Sequence, residues 1–464
     1  MNKILSFAVG PIAAALLGFI SLPVLTWYFS PEDIGRISLF QVVISFSVLL
    51  FSLGLDQSYV REYHDSADKP ALLALSFFPG FVLLTTILLV VFWVSPTYLS
   101  NIFFDIKSIS LTIMASLILL LYFCSRYLTL IFRMQDRGLA FSMTKVLPKI
   151  LFLSIIFFYI VYSRSFDFEH LLFAYFGSIS LVVLLGAIYT YKEWFSISTK
   201  NIKYQQLRSM LNYGIPLIFS GIATWVLMGT DKIILKKISS FEQLGVYSVS
   251  LSIASAVAIL GTVFNTLWAP SVFKWVSEGN NLDKVKNISE YVQIGVASIF
   301  VIVGSMSWLI SFVLPDDYID VQYILPLAIS TPLLYTLSET TSMGISVKRK
   351  TNYAMYIAIV AGVLNVIGNL VLVPELGAKG AAISTAVAMW LFMVFRSEFS
   401  NNIWFKISDR RTYISSALCL IASILLCISE YDAYVRMIVW FGVGTIVIFS
   451  YRNIFIKLVY AYKN

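Results

Sequence analysis

Ionisable side chains stand inside long apolar runs as well as between them, among them Asp56, Arg126, Lys149, Glu339 and the adjacent Asp231 and Lys232. In a run long enough to cross a bilayer, a charged group costs about 2.5–3.5 kcal/mol on insertion scales, so it is expected to face a bundle interior, a wet cavity or a partner. Arg126 precedes the polar break at Arg133 by seven residues and Lys149 follows the start of its run, near Ala140, by nine. At about 1.5 Å per residue these offsets put the two cations roughly 10 and 13 Å deep on consecutive helices. Asp56, ahead of Arg61, lies about 7–8 Å in and is within reach of either cation, while Glu339, ahead of Arg349, lies about 15 Å deep. Two cations at matched depth suit an anionic ligand. Glu339 suits a counter-charge, a gate, or a proton or sodium site, and Asp56 and Asp231 are further candidates for coupling or gating. Plainer roles fit the same positions. Arg126 and Lys149 are long enough to snorkel toward inner-leaflet phosphates, Glu339 has Ser338, Thr340 and Thr341 beside it, and Asp231 and Lys232 make an adjacent structural pair near the outer end of their run.

Other chemistries lack their residues. The chain has two histidines, His64 and His170, and three cysteines, Cys124, Cys419 and Cys427, all three in apolar runs without metal-ligand spacing. This argues against a zinc site, a disulfide framework and an acyl-transfer triad. The longest polar links, roughly 192–210, 269–286 and 397–411, hold no glycine-rich phosphate loop, which argues against ATP hydrolysis. A composition of 59% hydrophobic and 12% charged residues excludes a water-soluble enzyme, whose charged share would be about 25%. No metal or cofactor is expected beyond a coupling proton or sodium ion.

The elements that must position these charges are membrane helices. Apolar runs near the roughly 20 residues a span needs fall at 4–29, 36–58, 71–95, 108–132, 140–163, 168–191, 211–235, 241–268, 287–314, 320–347, 352–374, 378–397, 412–429 and 434–458. The fold expected is therefore all-α, a polytopic membrane protein of about fourteen spans, with the first run retained as a helix. With a cytoplasmic N-terminus, 22 Lys and Arg fall in inside segments and 7 in outside ones, a positive-inside distribution that puts both termini in the cytoplasm. The net charge of +8 thus reports topology and contact with anionic membrane lipids, not nucleic acid.

The chain also reads as a duplication. Ser30–Ser38 lies over Ser240–Ser248, Gly10 and Pro11 answer Gly214 and Pro216, and the break at Gln135–Arg137 answers Val347–Arg349. Two six-span halves follow, 1–200 and 201–400, with 401–464 adding two spans. An even number of spans per repeat implies parallel repeats around a central cavity. The position duplicating Arg126 is Glu339, so the repeat has changed sign there. Pro11, Pro23, Pro148, Pro216, Pro326 and Pro332 each remove a backbone donor and favour kinks, whether for rocking or as plain helix geometry.

Several segments carry a resemblance over nearly the whole chain: Gly10 and Pro11, Tyr28–Gly35, Leu53–Tyr63, Phe132–Arg137, Leu211–Leu217, Asp231 and Lys232 followed by Gly245–Tyr247, and Leu376–Ala382. In order and spacing they resemble the Wzx-type polysaccharide repeat-unit flippases of the multidrug/oligosaccharidyl-lipid/polysaccharide exporter superfamily. The resemblance implies a V-shaped pair of six-helix bundles in the bacterial inner membrane. It implies alternating access that carries an undecaprenyl-pyrophosphate-linked oligosaccharide, such as an O-antigen or capsular repeat unit, to the outer leaflet, with no bond made or broken. It further implies a cation-rich cavity into which Arg126, Lys149 and Arg61 would fit, and a polysaccharide polymerase and chain-length regulator as partners. A peptidoglycan-precursor flippase and a cation-coupled drug antiporter are the nearest alternatives. A membrane glycosyltransferase or polymerase is a third, against which the short outside loops count.

Overall fold

The computed structural model describes residues 3–162, 166–195, 204–279 and 282–452, and every regular element among them is a helix. In chain order these are α1 (Lys3–Tyr28), α2 (Pro31–Phe51), α3 (Leu55–Glu62), α4 (Lys69–Val94), α5 (Tyr98–Phe104), α6 (Ile109–Met134), α7 (Gly138–Tyr162), α8 (Phe168–Tyr189), α9 (Tyr191–Phe195) and α10 (Tyr204–Ile238). There follow α11 (Phe241–Ser277), α12 (Leu282–Met306), α13 (Val321–Ala328), α14 (Ser330–Thr341), α15 (Met343–Val347), α16 (Thr351–Ile403), α17 (Arg410–Ser429) and α18 (Ala433–Ser450). Short polar side chains start several of them. Asp68 accepts from Ala71 N, Ser108 from Leu111 N and Ser240 from Gln243 N, each filling one of the donors that a helix start leaves open.

Twelve helices among the described residues are long and apolar enough to cross a membrane, against the fourteen runs read from the sequence. The runs at 352–374 and 378–397 lie in the single 53-residue α16, which at 1.5 Å per residue would reach about 80 Å if straight. It is broken at Gly377, whose backbone (φ 52°, ψ −126°) is not helical and whose Cβ, if present, would lie 2.6 Å from Gln243 Oε1. That amide oxygen caps the break by accepting from Ala378 N. The run at 211–235 lies within α10 and is not among the twelve. The expected run at 320–347 is divided into α13, α14 and α15, with Pro326 inside α13 and Pro332 in the first turn of α14.

By contact the chain forms two compact units, one of Met1–Phe29 and Asp33–Gly229, the other of Ser30–Glu32 and Thr230–Asn464. The boundary falls inside α10, beyond the residue 200 at which the duplication divides the sequence. The first unit packs α1 on α7, α7 on α8 and α6 on α8 around Phe40, Phe104, Ile118, Phe123 and Tyr127. The second packs α11 and α16 on α14 and α12 on α18 around Phe300, Leu334, Leu337, Met393, Cys419 and Trp440. Large side chains such as Trp93, Phe219 and Phe441 stay exposed, as lipid-facing positions would.

The duplicated breaks end their helices in the same way. Asp136 (φ 58°) and Arg349 (φ 56°) both take the left-handed conformation, 213 residues apart. At the same spacing Arg137 N donates to Phe132 O and Lys350 N to Ile345 O, each at 2.9 Å. That six-residue closure is a Schellman-type helix end.

Candidate functional site

In the first unit the site begins with Gly54. Its φ of 68° opens α3, and its missing Cβ lets the backbone of Gly214 on α10 come close, since a Cβ there would overlap Gly214 O. Ser58 Oγ donates to Met210 O at 2.8 Å and fastens α3 to α10 a turn further on. Held there, Asp56 is buried, and Arg126 on α6 reaches its Oδ2 with Nη2 at 2.6 Å and Nε at 3.1 Å. Gln57 Nε2 donates to the same oxygen at 3.1 Å. Of the two cations the sequence offers to Asp56, the structure gives it Arg126.

The hydrogen bond between Thr129 and Thr144, at 3.3 Å, fixes the antiparallel register of α6 on α7. It carries Arg126 to the level of Leu147, midway between Lys145 and Lys149. Lys145 is exposed and feels the charge of Arg126. Lys149 turns to α1, donating from Nζ to Ala14 O at 2.6 Å beside Gly18, where a Cβ would lie 2.6 Å from Nζ. Arg61, in the last turn of α3, is exposed and stacks its guanidinium 4.3 Å from the centre of the Tyr213 ring. Lys145 and Lys149 thus lie about 6 Å apart along α7, one on each side of the level of Arg126, which is held by an acid and keeps a third of its side chain open.

The second unit inverts this arrangement. Glu339 on α14 accepts from Arg396 Nη1 at 2.6 Å, and the same nitrogen reaches Ser338 Oγ at 3.2 Å. The guanidinium lies 5.1 Å from the centre of the Phe392 ring. By sequence Arg396 counts among the inside-loop charges. The structure corrects this, because α16 continues to Ile403 and its polar residues turn inward. Ser397 bonds to Thr341 at 2.5 Å and Ser400 accepts from Gly344 N at 2.9 Å. Thr340 and Thr341 donate instead to carbonyls of their own helix, so of the hydroxyls next to Glu339 only that of Ser338 joins the Arg396 cluster.

Asp231 is buried in a separate oxygen-rich network. It accepts from Tyr247 Oη at 2.5 Å and from the backbone N of Lys232 at 2.8 Å. Tyr247 lies 3.4 Å from Thr385 Oγ1, which reaches Asn365 Oδ1 at 3.4 Å, while Ser384 and Asn369 bond to Asn365 at 2.7–3.0 Å. Asn369 Oδ1 is buried with no hydrogen-bond partner. Carboxylate, amide and hydroxyl oxygens of this kind suit a hard cation. Among the described residues no group of three or more His, Cys, Asp or Glu offers a transition-metal site.

Sequence reasoning misses Lys145, Arg396 and the partners of Asp231. Asn365 and Asn369, one helical turn apart inside an apolar run, are a usable signal, since two amides in a membrane helix need partners. Lys145 and Arg396 lie near the inner ends of the runs 140–163 and 378–397, where a cation is counted with the inside-segment charges.

Residues 1–275 match the model of the family described as polysaccharide biosynthesis protein. No protein of curated function matches the chain. Among solved structures, the lipid II flippase MurJ in an inward closed conformation is 14% identical, with a TM-score of 0.68 over 97% of this chain and 99% of that one. The inward-facing conformation of a multidrug resistance MATE family transporter of the MOP superfamily is 14% identical, with a TM-score of 0.56 over 87% and 99%. An outward-facing conformation of such a MATE family transporter is 14% identical, with a TM-score of 0.53 over 86% and 95%. At these identities the likeness is one of fold.

Proposed function

The chain belongs to the polysaccharide biosynthesis protein family, and on that footing we propose that it is a flippase carrying an undecaprenyl-pyrophosphate-linked oligosaccharide from the inner to the outer leaflet of the bacterial cytoplasmic membrane. The observation that supports the reading is the group of Arg126, Lys145 and Lys149 in one unit, with the two lysines about 3 Å above and below the level of the arginine. The polyprenyl tail of such a cargo can stay in lipid, but a pyrophosphate crossing hydrocarbon bare would be prohibitive. Fixed cations at intermediate depth replace part of its hydration. Arg126 presents a planar fork already oriented by Asp56, and Lys145 and Lys149 act as point charges beside it. Arg61 would meet the headgroup on entry. No bond is made or broken, and both termini lie in the cytoplasm.

The oxygen network supports Asp231 as the coupling residue, in preference to Glu339, whose charge Arg396 already answers. A sodium ion entering beside Asp231, or a proton on it, would change the packing of α10 on α11 and α16. The cargo test is accumulation: cells carrying Arg126→Ala should hold the lipid-linked repeat unit on the inner leaflet and lose surface polysaccharide.

The fold shared with a lipid II flippase makes a peptidoglycan precursor the second reading, because that headgroup would use the same cations. Depleting the protein separates the two. Loss of surface polysaccharide with intact growth supports the first, and lysis supports the second. A drug antiporter would need acids where Arg126, Lys145 and Lys149 stand.

A further inference from the structure

Within the second unit, α18 packs antiparallel on α12, with Gly304 against the indole of Trp440 and Gly444 against Val301. One helical turn outward from the Gly304–Trp440 contact, that register brings Trp308 level with Arg436. The surroundings of Arg436 are unusual in their hydrogen-bond balance. The residue is 4% exposed; Nη2 donates to Gln322 Oε1 at 2.8 Å, and Nε and Nη1 have no acceptor. The indole N–H groups of Trp308 and Trp440 are also buried and unpartnered. Four donors on two facing helices thus lack acceptors. A buried donor left unpaired is expensive, and a buried guanidinium without a counter-charge more so.

The charged neighbours do not cancel Arg436. Its guanidinium lies 4.8 Å from the centre of the Tyr323 ring, and Lys379 Nζ lies 5.4 Å from the same ring. Lys379 has its own acids, Asp320 at 3.3 Å and Glu430. Asp432, one turn before Arg436, is exposed and acts on it electrostatically without forming an ion pair. Tyr323 therefore stands between a cation that is paired and one that is not.

We propose that this cluster of donors, between α12, α13 and α18 and the 3₁₀ turn Ser307–Phe312, binds a small inorganic anion of the halide class, held by Arg436, Trp308 and Trp440. Gln322 Oε1 is already used by Arg436, and the four groups left over are all donors, which select an anion over a cation. Burial of Arg436 excludes anything as large as a lipid headgroup. The anion acts as a resident counter-ion that locks α18 to α12 and α13, independent of the cargo path in the first unit.

The test uses the full-length protein in detergent, with sodium chloride or sodium bromide replacing sodium gluconate at constant ionic strength. Thermal unfolding should shift upward by about 2 °C or more in a saturable manner, because an anion bound only to the folded state stabilises it by mass action. Bromide should also quench a saturable fraction of the tryptophan fluorescence. Arg436→Gln should abolish the shift, and Arg436→Lys should move its midpoint to higher anion concentration. Should Arg436→Gln not fold, Trp308→Phe and Trp440→Phe, which keep the charge, should each remove part of the saturable quenching. Equal stability in gluconate and halide would mean that the cluster holds water only and would overturn the proposal. So would a shift that persists in Arg436→Gln, or saturable quenching unchanged in both tryptophan variants.

Discussion

The two units place charge at corresponding positions and use it in opposite ways. In the first, Arg126 on α6 is held by the buried Asp56 and has Lys145 and Lys149 on either side of its level. In the second, the position 213 residues on is Glu339, and an arginine, Arg396, serves the acid. The helix ends that follow Arg126 and Glu339 are the same at that spacing, so the scaffold was kept while the side chains changed sign. The partner also moved. Asp56 comes from α3, preceding α6, whereas Arg396 comes from α16, following α14. The helix ends are retained while the ion pair is rebuilt with its signs exchanged, with further cations beside the pair in the first unit.

Breaking the pair in the first unit should have the largest effect. Arg126→Ala is expected to lower surface polysaccharide at least tenfold relative to the amount of protein in the membrane by immunoblot, a barrier change of about 1.4 kcal/mol. Because the same change leaves Asp56 buried and without its ion-pair partner, it should also lower the protein level, and Asp56→Asn added to it should restore that level but not the polysaccharide. Restored polysaccharide in that double variant would make the arginine structural only.

In the second unit the expected effect is on coupling. Asp231→Asn should leave transport insensitive to the ion gradient at a rate severalfold below wild type, while Glu339→Gln keeps its sensitivity. The reverse ranking in an uncoupler titration would return coupling to Glu339. Next in size is Gly54→Ala, which puts a Cβ against Gly214 O in a left-handed turn and should destabilise the first unit by about 1–3 kcal/mol, read as a lower unfolding temperature. A wild-type unfolding temperature would show that α3 does not depend on that approach. The smallest effect is expected for Arg61→Ala, which loses one exposed cation–π contact of about 0.5–1 kcal/mol and should lower polysaccharide no more than about fivefold.

How much of this was legible in the sequence follows from where each signal lay. The all-helical membrane class came from apolar runs whose length the bilayer sets, and the depth of Arg126 and Lys149 from counting residues to a polar break. The partner choice of Asp56 was open, because depth places a residue along the membrane normal but not around a helix. Arg396 was illegible for another reason. Arg396 and Ser397 close the run 378–397 and Ser400 lies beyond it, yet the two serines satisfy Thr341 and Gly344 in the interior of the unit. Hydropathy records whether a residue is polar and says nothing of whether a neighbour can pair it. The break at Gly377 between two apolar runs was visible, whereas the continuation of α16 past residue 397 to Ile403 was not.

The most direct measurement is transbilayer movement itself. The protein is reconstituted into vesicles with a fluorescent undecaprenyl-pyrophosphate oligosaccharide, and the fraction reaching the outer leaflet is read with a membrane-impermeant lectin or quencher. Movement by wild type that drops at least tenfold in Arg126→Ala, and recovers in part in Arg126→Lys, is the result expected. Equal movement in wild type and Arg126→Ala would contradict the claim that fixed cations at this depth carry the phosphate across.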